Sequence, residues 1–124
     1  MEDRAPYHTA APAGPRNLAA PLTAWLRTQG FTATEYQTLA TFASVAAHWV
    51  GSRGECFQFY YCWLVGPVAA EATCQLQVRY PGQALVEPLF GAQRVHRLRD
   101  AKVLLLGNLR YANARLLATL PHHS

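Results

Sequence analysis

Few residues in this 124-residue chain are suited to chemistry, and the densest group lies between Gly54 and Gly66. There Cys56 and Cys62 bracket the aromatics Phe57, Phe59, Tyr60 and Tyr61, and Trp63 follows directly. Thiols bind metals, form disulfides or act as nucleophiles, and exposed aromatics stack on nucleic-acid bases. Each use has a geometric requirement. Zinc sites draw ligand pairs from positions two to four residues apart. Cys56 and Cys62 are wider than that, and on a strand they would sit roughly 20 Å apart, at about 3.3 Å per residue. The third thiol, Cys74, adds no CxxC motif, and His122-His123 is a terminal pair. The expectation is therefore no metal and no cofactor, with free thiols in a reducing compartment.

Catalysis is similarly short of parts. A nucleophilic thiol needs a neighbouring base, yet His48 and His96 are the only internal histidines and nothing places either beside a cysteine. No GxSxG, HExxH or phosphate-cradling glycine loop occurs. The internal carboxylates Glu35, Glu55, Glu71, Glu87 and Asp100 show no spacing that argues for an acid–base pair. The expectation is no catalytic residue and no enzyme.

Two binding surfaces remain. Arg94, Arg97, Arg99 and Lys102, with His96 among them, form the one basic cluster, and phosphate contact needs several such charges. Tyr60, with Gln58, Gln77 and Arg79 as neighbours, would be the one stacking platform beside a nucleic acid. A solvated charged loop is the plainer reading of the same residues. The chain carries a formal charge of +4, and ten of its eleven cations are arginine in a sequence with no isoleucine, which reads as coding bias. The second surface is apolar. With 51% hydrophobic and only 15% charged residues, the chain carries more apolar surface than one small core readily hides. Cys56, Tyr60, Cys62 and Leu64 fall together on the second face of the aromatic strand and are the expected partner-binding residues.

These residues must be positioned by secondary structure. Residues 1–16, with Pro6, Pro12, Gly14 and Pro15, read as a flexible arm, and residues 17–121 as one α+β domain. Pro21 and Gly30 delimit a first helix carrying Leu22, Trp25 and Leu26. Thr32-Ala33-Thr34-Glu35 has the form of a capping box, and Tyr36, Leu39, Ala43, Ala46 and Val50 follow at helical spacing, so a second helix is expected to about Val50. An antiparallel sheet is expected around a hairpin of about 55–65 and 73–80, closed at Pro81-Gly82. In that hairpin Trp63 would face Cys74, and Phe59 would face Val78.

Ala84 to Phe90 reads as a short edge strand cut by Pro88, and Val103 to Leu106 as a buried strand. A C-terminal helix is expected from Asn108, as its N-cap, to a stop at Pro121. The alternative pairs 102–111 with 114–120 as a hairpin and gives a small β-barrel with N-terminal helices.

No segment has the roughly 18 apolar residues of a membrane span, and Met1-Glu2-Asp3-Arg4 does not open like a signal peptide. The functional expectation is a non-enzymatic interaction module: an intracellular small subunit or adaptor, not secreted, that binds a protein partner or itself and no membrane. The alternative is a nucleic-acid-binding module built on the basic cluster.

Overall fold

The computed structural model describes residues 16–119, with side chains through Ala112. The chain runs α1 (Ala19–Thr28), β1 (Thr32–Leu39), β2 (Phe42–Val50), β3 (Cys56–Val65), β4 (Ala70–Arg79), β5 (Glu87–Arg94), α2 (Leu98–Thr119). The strands form one open antiparallel sheet in sequence order, β1-β2-β3-β4-β5. The class is α+β, as the patterning suggested. The barrel alternative is overturned, because β1 and β5 remain as separate edges.

The first helix forms where expected, slightly extended at its start. Pro21 is its third residue, where a missing N–H is still harmless. Its end is a Schellman motif: the Phe31 N–H donates to the Leu26 carbonyl, the Gly30 N–H donates to the Arg27 carbonyl, and Gly30 takes φ of 96°. Phe31 and Leu26 are both in the core, which supplies the apolar contact such a motif favours. The Arg27 guanidinium donates twice to the Ala33 carbonyl, at 3.2 and 2.8 Å, and so ties the helix end to β1.

The expected second helix is a β-hairpin, so the N-terminal helical pair is corrected to one helix followed by strands β1 and β2. The two periods overlap in this segment. Tyr36, Leu39, Ala43, Ala46 and Val50 fit a helical stripe, but Ala43, Val45 and Ala47 alternate and are the residues that become buried. The β-branched Thr32, Thr34, Thr38, Thr41, Val45 and Val50 favour strand over helix. The hairpin also gains β3 as a neighbour, from Phe42↔Leu64 to Val50↔Cys56, and no isolated capping box offsets nine paired residues.

The hairpin of β3 and β4 forms, with its register two residues from expectation. Tyr61 faces Cys74, Phe59 faces Leu76 and Phe57 faces Val78. The connection is four residues, Gly66 to Ala69, and is closed by the Gly66 N–H on the Ala69 carbonyl. A slip of two preserves which side chain faces which side, so the core assignment survives. Pro81 and Gly82 make the expected turn, with Gly82 at φ 80° and the Gln83 N–H on the Tyr80 carbonyl. Pro88 sits on edge strand β5, where a missing N–H is tolerated.

The C-terminal segment is helical from Leu98 through Thr119, so Val103 to Leu106 is not a strand. Asn108 is interior and donates to the Leu104 carbonyl instead of capping. The start is secured by Asp100, whose carboxylate accepts the N–H groups of His96 and Arg97. The 1–16 arm, apart from Arg16, and the stop at Pro121 lie outside the described residues.

Both helices lie on one face of the sheet. Ala19, Leu22 and Leu26 from α1 and Ala101, Leu105 and Ala112 from α2 join Val45, Phe57, Phe59, Tyr61, Leu76 and Val78 in one core. Small residues Ala33, Ala43 and Ala47 line the strands beneath α1 and permit close approach. Lys102 of α2 places its ammonium 5.4 Å from the Trp25 ring centroid of α1, so the two helices also meet each other.

Candidate functional site

With both helices on one side, the opposite face of the sheet is left bare among the described residues. Its composition follows from strand alternation. The cross-strand pairings arrange it in rows. The central row is Thr34, Ala46, Tyr60 and Gln75. On one side lie Tyr36, Ser44, Cys62, Thr73 and Arg94, and then Leu39, Phe42, Leu64 and Glu71. On the other lie Thr32, His48, Gln58, Gln77 and Pro88, and then Val50, Cys56 and Arg79. Only Glu71, Arg79 and Arg94 are formally charged, and all three sit on β4 and β5 towards the ends of their strands.

The four expected partner residues are all on this face. Tyr60 is central, Cys62 and Leu64 run towards one end, and Cys56 lies at the other. They are half-buried by their neighbours, except Leu64, which is exposed. Their environment is wider than the sequence indicated. Tyr36, Leu39, Phe42 and Val50 join them, and these were missed because their segment reads as a helix. The signal that could have found them is the alternation of Ser44, Ala46 and His48 with Ala43, Val45 and Ala47. Gln58 and Gln77 pair through their side-chain amides, and Tyr60 faces Gln75.

The thiols separate by face. Cys56 and Cys62 lie on the bare face, with the Cys56 sulfur 3.9 Å from an Arg79 guanidinium nitrogen. Burial pushes the Cys62 thiol up from its ordinary value. Cys74 points into the core, and burial pushes its thiol up to about 12, so it stays neutral. Tyr61, also inward, is pushed up to about 12 by burial, against a backbone hydrogen bond from Leu18 that lowers it. Its hydroxyl accepts the Leu18 N–H at 2.8 Å and donates to the Arg16 carbonyl at 3.0 Å. Tyr61 is therefore a buried post that holds the entry to α1, with no access to a ligand. No three His, Cys, Asp or Glu side chains gather as a metal site among the described residues, and His122-His123 lies outside them.

The basic cluster is partly assembled. Arg94, Arg97 and Arg99 line one shallow depression of about 480 Å³, together with Gln93, Asp100, Val103 and Leu104. Lys102 turns away to Trp25. Arg94 lies 3.7 Å from the Glu71 carboxylate in an exposed ion pair. The His96 and Arg97 N–H groups, with the Arg97 charge, hold the Asp100 carboxyl below its usual range, so an anionic carboxylate stands among these cations.

The two helices over one face of a five-stranded antiparallel meander define an α+β class. Comparison with protein-family models, with curated proteins and with solved structures returns no match for this chain. No helix among the described residues is long and apolar enough to cross a membrane.

Proposed function

We propose that this chain is a non-enzymatic interaction module, a small subunit or adaptor that binds a protein partner or a second copy of itself through the helix-free face of its sheet. The observation that supports this reading is the composition of that face. Tyr36, Phe42, Tyr60, Cys62 and Leu64 lie on it together, with Glu71, Arg79 and Arg94 towards one side. A middle that carries no formal charge, built on Tyr60 among the neutral polar residues Ser44, Gln58, Thr73 and Gln75, with charge only at the rim, matches the charge depletion at the core of a protein–protein interface. A bare sheet face of this size also exceeds what a lone exposed side chain would explain.

The test is Tyr60→Glu. Tyr60 lies outside the core, so the fold is retained by circular dichroism while association with a second copy, or with a protein that co-purifies with the wild-type chain, is lost. A wild-type chain that is a dilute monomer by light scattering and binds no hydrophobic dye counts against the reading.

A second reading, nucleic-acid binding, has the shared depression of Arg94, Arg97 and Arg99 in its favour. It is weakened by Asp100 in that same depression and by the engagement of Lys102 with Trp25. It requires salt-dependent oligonucleotide binding that Arg97→Glu weakens. Absence of binding at about 50 mM salt removes it.

A further inference from the structure

The bare face has a symmetry that bears on what it binds. Take the central row, Thr34, Ala46, Tyr60 and Gln75, as an axis across the strands. Half a turn about that axis lays a second copy of the sheet on the first, strand over like strand with directions reversed. Glu71 and Arg79 stand four residues to either side of Gln75 on β4. The rotation therefore puts Glu71 of each copy against Arg79 of the other, twice. The other rows match in the same way: Phe42 meets Val50, Leu64 meets Cys56, and Thr73 meets Gln77. Arg94 meets the Pro88 region, so no like charges oppose.

Resting on the reading above that this face is the docking surface, we infer that its occupant is a second copy of this chain in a face-to-face two-fold dimer. Isologous interfaces require a patch complementary to itself, and charge pairing is what this patch supplies. The area fits. Five strands about 4.8 Å apart and up to ten residues long cover about 700 Å² in projection, close to the roughly 800 Å² per partner of a standard interface. Aligned sheets cross at about 30°. At four residues from the axis, about 13 Å, that crossing displaces Glu71 from Arg79 sideways by about 7 Å, within the combined reach of the two side chains. The pair Glu71 makes within its own chain, 3.7 Å to Arg94, is exposed and gives little up when exchanged.

The experiment is sedimentation equilibrium of the full chain with Glu71→Arg, Arg79→Glu, the double reversal, and Tyr60→Glu, each checked for fold by circular dichroism. The expected result is a dimer that each single reversal weakens by about tenfold or more, with the double reversal returning it to near wild type. A chain that stays monomeric at about 0.1 mM, a dissociation constant far weaker than a stable dimer needs, overturns the second copy as occupant. The docking face itself is then decided separately, by whether Tyr60→Glu abolishes the capture of proteins that co-purify with the wild-type chain. A dimer broken by Tyr60→Glu but indifferent to the reversals overturns the Glu71–Arg79 arrangement alone. A dimer indifferent to all four variants overturns the arrangement and the docking face together.

Discussion

Tyr61→Phe isolates one polar contact inside an otherwise apolar core. The side chain is 1% exposed, and its hydroxyl joins strand β3 to the two residues that lead into α1. Phenylalanine keeps the ring and removes only that oxygen. The bond to the Arg16 carbonyl is lost, worth about 1 kcal/mol net, and the Leu18 N–H, on a residue 7% exposed, is left buried without its acceptor, at about 1–3 kcal/mol. The expected destabilisation is about 2–4 kcal/mol. Urea unfolding reads it as a midpoint lowered by about 1–2 M, and amide exchange at Leu18 should speed up more than at residues of β4.

The same substitution has an alkaline signature. The folded phenol titrates at about 12 rather than its ordinary 10.0 because burial disfavours the charged form. Below pH 10 both states hold the proton and stability is unaffected. Above it the unfolded chain ionises first, so stability falls between about pH 10 and 12, by about 2–3 kcal/mol in all. Tyr61→Phe removes that share of the decline and leaves the share of Cys74, which begins nearer pH 9. A variant as stable as wild type, with unchanged Leu18 exchange and the full alkaline decline, would refute the role given to this hydroxyl.

Thiol labelling at a dilution that keeps the chain monomeric should divide the cysteines two to one. Cys56 reacts first, Cys62 more slowly because burial raises its thiol, and Cys74 only in denaturant, so three fast thiols in the native state would contradict the placement of Cys74 in the core. Gly51→Ala should cost about 1–3 kcal/mol by thermal unfolding, because its new methyl group would meet the buried Glu55 carboxyl, and Glu55→Ala in that background should recover part of the loss. A neutral Gly51→Ala would show that this carboxyl is free to move aside.

The sequence by itself determined the features that depend on near neighbours in the chain. Pro21 lies in the first turn of α1 and Gly30 ends it, Pro81-Gly82 makes the turn, Pro88 marks an edge strand, and alternation through 56–65 and 73–79 assigns each residue to a face. That last assignment placed Cys56, Tyr60, Cys62 and Leu64 together, because alternation is insensitive to a register slip of two. Tertiary structure decided what local patterns leave degenerate. Residues 32–50 are alanine-rich and satisfy both a helical and a strand period, and the strand prevails because β3 pairs with all of 42–50 and 32–39 pairs back on that strand. Likewise Asn108 has the chemistry of a cap but lies inside α2, whose start is set ten residues earlier by the Asp100 carboxylate on the His96 and Arg97 N–H groups. That the second face is bare among the described residues depends on where the two helices pack. The alanines beneath α1 and the contact between Lys102 and Trp25 gather both helices on one side, a consequence of long-range packing that no local spacing encodes.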